Sequence, residues 1–195
     1  MKIETIRHSL AHIMALAVQE LYPGVKFGIG PAIENGFYYD FDLPGSLAPE
    51  DLPKIEKKMK ELIKQDIKFE KKITSKAEAK KSFKQQPYKS ELIEDLPNKT
   101  VSLYQSGKFT DLCKGSHVKT TKELPLDSFK LTKIAGAYWR GSEKNPMLTR
   151  IYGVAFKSKK ELDNYFKMMK EAEERDHRKL GKKLELFFFH QTAQS

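Results

Sequence analysis

The chain has 195 residues, 39% hydrophobic and 32% charged, with a formal net charge of +10 and a single cysteine. That length suits one large domain or a domain with an appendage, and one cysteine rules out an internal disulfide framework. No apolar run approaches the roughly 20 residues that cross a bilayer as a helix. The opening residues, Met1 to His8, lead into an amphipathic helix rather than a secretory signal. The expectation is therefore a cytoplasmic protein with no membrane partner. The basic residues are mostly lysine and are spread along the chain. This favours a polyanionic partner, RNA or DNA, although lysine-rich helices that merely keep a protein soluble give the same balance.

From Glu4 to Leu21, apolar residues recur at spacings of three and four (Ile6, Leu10, Ile13, Met14, Ala17, Leu21). The spacing predicts a helix with a core-facing stripe, and His8 and His12 lie beside that stripe. Tyr22-Pro23-Gly24 ends it. Strands are expected over 26–33 and 37–42, and the Asn35-Gly36 between them signals a hairpin. Phe37 and Phe41 read as core; Tyr39 shares their face, so its hydroxyl needs a partner if buried. A second amphipathic helix is expected over 49–65 and a strand over 67–73. Ser75 stands three before Glu78, a capping box that opens a short helix. Residues 85–99 read as irregular and polar. Short strands follow over 101–104 and 109–112, then over 129–135, 138–140 and 150–156, with Trp139 read as core. Ser158 and Glu161 repeat the capping box and open a helix running to about Leu184. Hairpin signals dominate, so the fold class is α+β: a largely antiparallel sheet packed with an N-terminal helix and further helices, ending in a long C-terminal linker helix.

Two pairs of metal-loving residues stand out, His8 with His12 and Cys113 with His117. A spacing of four on a helix puts both side chains on one face. Three imidazoles and a thiol would make a closed tetrahedral zinc site, or a catalytic one if water takes a position. The metalloprotease and zinc-deaminase signatures are both absent. A metal-free reading is equally complete. A histidine moves a proton near neutral pH, Asp111 orients a water or a cation, and a nearby lysine stabilises a developing oxyanion. Such a site suits ester hydrolysis. Cys113 as nucleophile has no preferred partner in the sequence. Neither a phosphate-binding loop nor a dinucleotide fingerprint is present.

At these residues the chain resembles the editing domain of bacterial-type threonyl-tRNA synthetases. The resemblance rests on His8-Ser-Leu-Ala-His12, on residues 29–40 with Asn35-Gly-Phe-Tyr-Tyr-Asp40, on Asp111-Leu-Cys-Lys-Gly-Ser-His117, on Ala135-Gly-Ala-Tyr-Trp-Arg-Gly141, on Arg150-Ile-Tyr-Gly-Val-Ala-Phe156 and on Arg175-Asp-His-Arg-Lys-Leu-Gly181. The two metal-like pairs are shared with alanyl-tRNA editing domains; the Asn-Gly-Phe-Tyr-Tyr-Asp and Gly-Ala-Tyr-Trp-Arg-Gly runs look specific to the threonyl family.

The resemblance implies an aminoacyl-tRNA deacylase that hydrolyses mischarged seryl-tRNA(Thr). Serine is threonine less one methyl, worth only about 1–3 kcal/mol of discrimination, so a second, smaller pocket must do the sorting. It implies an editing domain over 1–157, a linker helix over 158–186, and the start of an aminoacylation domain over 187–195, with no ligase activity and no use of ATP by this stretch. By matching position, His8, Lys89 and His117 are the implied catalytic residues: Lys89 and His117 place and activate a water, and His8 meets the ribose hydroxyl and helps the alkoxide leave. His12, Gly30, Tyr39, Asp111 and Cys113 are the implied substrate-binding residues. No metal is expected to be required, zinc on His8, His12, Cys113 and His117 being the alternative. The implied partners are the acceptor end of tRNA(Thr) and the remainder of a synthetase. An inactive tRNA-binding module and an alanyl-type trans-editing deacylase are the competing readings. Ser116 departs from the family, which often has proline there, and so frees φ in the loop that carries His117.

Overall fold

The structure, a computed structural model, describes residues 1–175. Helix α1 (Ile3–Leu21) runs through the centre of the protein. Every residue from Ser9 to Val18 is buried, so the expected stripe is a helix buried all round. The alanines at 11 and 15 let neighbouring elements approach on the sides the stripe leaves open.

One face of α1 meets a five-stranded antiparallel sheet of β1 (Lys26–Phe27), β2 (Ala32–Ile33), β3 (Gly36–Asp42), β7 (Phe129–Tyr138) and β8 (Met147–Ala155). The strand order is β1-β3-β8-β7, with β2 also on β3. A smaller antiparallel sheet is ordered β4 (Phe69–Ser75), β5 (Thr100–Ser106), β6 (Phe109–Leu112). Phe69 and Phe109 carry this second sheet into the core that α1 shares with Phe37, Tyr39 and Phe41. Helix α2 (Leu52–Ile63) seals the core with Leu52, Ile55, Met59, Leu62 and Ile63. Helices α3 (Lys76–Ser82) and α4 (Pro87–Asp95) flank the smaller sheet, and α5 (Lys159–Glu174) follows β8.

The α+β architecture and both capping signals agree with the sequence. Ser75 Oγ accepts from Glu78 N, and Ser158 Oγ from Glu161 N. Four local expectations are corrected. The strand over 26–33 is interrupted at 28–31, where single backbone bonds such as Asp40 N to Ile29 O (2.9 Å) keep the segment beside β3. Its hairpin turns on Glu34-Asn35, with Asn35 at φ 61, while Gly36 opens β3. A Cβ on Gly36 would stand 2.0 Å from Gly153 O, so close strand approach is what needs that glycine. Residues 138–140 are not a separate strand: Tyr138 ends β7 and Arg140 (φ 54) turns the chain. The strand over 67–73 lies two residues later, at 69–75.

The fourth correction bears on the site. Residues 85–99 contain helix α4, whose short, polar sequence hides its period. Pro87 sits in its first turn, where the missing N–H costs nothing. The Gln86 amide then ties the helix start to β1, accepting from Phe27 N (2.9 Å) and donating to Val25 O (3.1 Å). Tyr88 donates to Asp42 at 2.8 Å, and Trp139 Nε1 donates to Glu91 at 2.9 Å. The expected burial of Trp139 is met by packing against Tyr88 and Leu148. The expected C-terminal helix is present as α5 to Glu174; its continuation to 186, residues 187–195 and most of the 175–181 stretch lie outside the described residues.

Candidate active site

The two pairs separated by a hundred residues meet in space. Helix α1 projects His8 and His12 from one face, and the loop after β6 brings Cys113 and His117 against them. Cys113 Sγ is 3.3 Å from His8 Nε2 and 3.3 Å from His117 Nε2, and it accepts from Gly115 N at 3.2 Å. Gly115 has φ +90, and a Cβ there would stand 2.4 Å from the Tyr104 hydroxyl, so this loop conformation requires glycine. Ser116 Oγ lies 3.1 Å from Thr5 Oγ1, a hydroxyl contact from this loop to α1.

Ser9, which sequence reasoning passed over, organises this loop from below. Its hydroxyl donates to Thr5 O at 2.8 Å, accepts from Val118 N at 3.0 Å and lies 3.2 Å from His117 Nδ1. The shorter contact takes the single hydroxyl proton, so Ser9 accepts from His117 Nδ1–H. Burial lowers the His117 pKa and keeps the ring neutral, with the neighbouring His12 and His8 adding to the effect. Nε2 of His117 is then an acceptor for the Cys113 thiol, and His8 Nε2 lies against the same sulfur. Burial pushes the thiol up to about 11, so it stays protonated at neutral pH. The only available signal for Ser9 was its place beside His8.

The second half of the site is a buried ionic knot. Tyr39 donates to Asp111 Oδ2 at 2.7 Å, Lys89 Nζ donates to Tyr39 Oη at 3.0 Å, and Lys89 is ion-paired with Asp111 Oδ1. His12 Nε2 stands 3.5 Å from Asp111 Oδ2. Lys89 is 2% exposed, Asp111 3% and Tyr39 0%. Charges so deep persist only when paired and hydrogen-bonded. Burial depresses the His12 pKa, with His8 and Lys89 adding to it, and burial followed by Asp111 raises that of Tyr39. The His8 pKa is lowered, again by burial first, with Asp111 and the Ser116 backbone opposing.

A cavity of about 250 Å³ opens onto this group, lined by His8, His12, Gly30, Lys89, Asp111 and Cys113 among others. Gly30 has no room for a side chain: a Cβ would lie 2.0 Å from the Tyr39 ring. Tyr39 and His117 do not line the cavity; Tyr39 acts through Asp111 and Lys89, and His117 through Cys113. All eight residues singled out from the sequence therefore fall in one connected cluster.

Donor atoms of His8, His12, Cys113 and His117 all lie within 4.8 Å of one another. Zinc binds such ligands at about 2.0–2.3 Å in tetrahedral array, so the set is close enough to hold that ion once the thiol loses its proton. The same atoms are also joined by the hydrogen bonds described above. Among the described residues, no helix is long and apolar enough to cross a membrane.

Residues 101–152, which carry Asp111, Cys113 and His117, match the family described as the threonyl and alanyl tRNA synthetase second additional domain. A threonine–tRNA ligase of Dehalococcoides mccartyi is 57% identical over 189 residues, 97% of this chain and 32% of that protein. One from Thermotoga maritima is 57% identical over 187 residues, covering 94% of this chain and 29% of that protein. One from Staphylococcus carnosus is 52% identical over 186 residues, 95% and 28% respectively. The chain thus spans about a third of the length of the curated relatives it matches. At this identity, and with residues 101–152 matching the second additional domain, the chain is similar along almost its whole length to one part of the threonine–tRNA ligases.

Proposed function

We propose that this chain removes serine from mischarged tRNA(Thr) by hydrolysing the ester at the 3′ end, in the cytoplasm and alongside the rest of a synthetase. The observation that carries the reading is the buried Lys89–Asp111 pair at the wall of a small cavity whose rim is His8 and Cys113. An ammonium fixed by a carboxylate and a phenol is a preorganised donor for negative charge developing on an ester.

In the proposed reaction, water adds through its oxygen to the ester carbonyl carbon. Lys89 orients that water and donates to the developing oxyanion. Neutral His8 takes one proton from the water and returns it to the ribose oxygen as the carbon–oxygen ester bond breaks, leaving free serine and the 3′-terminal ribose hydroxyl. His12, Asp111 and Tyr39 hold Lys89 in place. The sequence reading gave His117 a share in activating the water. With Ser9 and Cys113 on its two nitrogens, we assign it the positioning of Cys113 instead. No metal or ATP is required in this scheme, since Lys89 and His8 supply charge stabilisation and proton transfer.

The test is release of serine from seryl-tRNA(Thr) by the 195-residue chain, with threonyl-tRNA(Thr) and seryl-tRNA(Ala) as controls. Release from the first substrate alone is expected. Tight tRNA binding without turnover would establish a binding module instead, and faster release from seryl-tRNA(Ala) an alanyl-type deacylase. Exhaustive chelation is expected to leave the rate intact; a loss restored by zinc would overturn the metal-free scheme.

A further inference from the structure

A second concavity, of about 450 Å³, shares Leu112, Cys113 and Lys114 with the cavity just described. Its walls come from the outer edge of the smaller sheet and the end of α4. Ile73, Leu92, Leu96 and Val101 give it an apolar lining, and Asn98, Thr100 and Ser102 stand among them. Ile73 is 69% exposed on β4, an edge strand, which is unusual for so large an apolar side chain beside three lysines at 71, 72 and 114. Lys71 and Lys114 lie in the groove itself, and among the described residues neither is in ion-pair contact with a carboxylate. Lys71 Nζ instead stands 6.0 Å from the Tyr104 ring.

From this continuity we infer that the groove binds the nucleotide immediately preceding the terminal aminoacylated one, an inference that rests on the ester-hydrolase reading above. The first cavity, at about 250 Å³, falls below the size of clefts that enclose a drug-sized ligand, about 300–1,000 Å³. It takes the aminoacyl-ribose end and leaves no room for a second nucleoside. An RNA strand leaving past Leu112 and Lys114 enters the groove directly. A base presents two apolar faces with polar edges, matching an aliphatic lining interrupted by amide and hydroxyl groups. The backbone phosphate passes the rim that carries the exposed Lys71 and Lys114, whose ammonium groups are available to it.

The experiment compares seryl esters of adenosine and of a dinucleotide ending in adenosine, using the whole chain and the variants Lys71→Ala and Ile73→Asp. For the wild type the dinucleotide ester is expected to have a KM about tenfold lower, the size of one modest base contact. That ratio is expected to fall toward one in Ile73→Asp, and by about threefold both in Lys71→Ala and in the wild type as salt is raised from 50 to 200 mM, the share of one phosphate contact. Uncharged adenosine and the uncharged dinucleotide are titrated in parallel, with backbone amide resonances as the readout. Only the dinucleotide is expected to move the amides of Ile73, Leu92 and Val101. If neither ester is hydrolysed, the proposed function fails while this titration still decides the groove. If both ligands bind alike and the ratio is already one, the groove inference is overturned and ester hydrolysis stands.

Discussion

Lys89 Nζ donates to the Tyr39 hydroxyl at 3.0 Å, joining two buried residues that stand 50 apart in the chain. Tyr39 comes from the centre of the large sheet and Lys89 from a short helix pinned to β1 and to the Trp139 turn. The bond therefore reports whether α4 is seated, and the ammonium reaches the cavity only when it is.

Replacing Lys89 by methionine is expected to abolish ester hydrolysis by at least about 100-fold. It should also cost about 3–5 kcal/mol of stability, because Asp111 is left as a buried charge without its cation. The double variant Lys89→Met with Asp111→Leu should recover much of the stability and none of the turnover. Urea denaturation and single-turnover deacylation separate the two effects, and a fully active single variant would remove Lys89 from the mechanism.

Ser9→Ala leaves the Val118 N–H and His117 Nδ1–H without their common acceptor. A cost of about 1–3 kcal/mol is expected, with a fall of roughly tenfold in turnover from loss of ring positioning. The decisive readout is the ring nitrogen spectrum of His117. The wild type should show a single Nδ1–H tautomer and the variant a mixture. A mixture already present in the wild type would refute the proton order assigned here.

Cys113 should behave as a neutral thiol. With its pKa at about 11, alkylation by iodoacetamide should be slow at pH 7 and rise about tenfold per pH unit well into the alkaline range. Cys113→Ala should retain deacylation within about tenfold, since no covalent intermediate forms on sulfur. Rapid labelling at neutral pH, together with an inactive alanine variant, would revive the nucleophile.

Acid should unfold the protein through His12 and His117. Burial holds both folded pKa values below the ordinary 6.5, so the unfolded chain binds their protons first. The stability they protect is fully present above about pH 6.5 and declines as pH falls below it. Urea midpoints measured from pH 8 to pH 4 should stay level and then fall. The variant His117→Asn should show a shallower fall; an unchanged slope would mean that this ring is not buried neutral. Hydrolysis should follow a similar sense, declining once His8 is protonated.

Part of the site was legible because its signals are local. A four-residue spacing on α1 places His8 and His12 on one face whatever surrounds the helix, and Tyr39 shares the parity of Phe37 and Phe41, which places it inward. Helix α4 was not legible. Its start depends on the Gln86 amide pairing with β1 and on Trp139 reaching Glu91, contacts spanning about 50 residues or more. Lys89 was consequently singled out by resemblance rather than by its own surroundings. Ser9 escaped for a similar reason: its neighbours in the chain say nothing of Val118 and His117, which it meets only after folding.

By itself, the sequence determined the α+β class, the helix on which the first histidine pair sits, the Ser75 capping box, the Ser158 N-cap and the likeness to threonine–tRNA ligases, because each depends on short-range spacing or on matched strings of residues. Only the tertiary structure decided that the two pairs share one cavity, that Lys89 and Asp111 are buried as a pair against Tyr39, and that the Cys113 thiol is held between two imidazoles. Those are desolvation effects. They arise when α1, the two sheets and α4 together exclude water, and no segment of this chain excludes it alone.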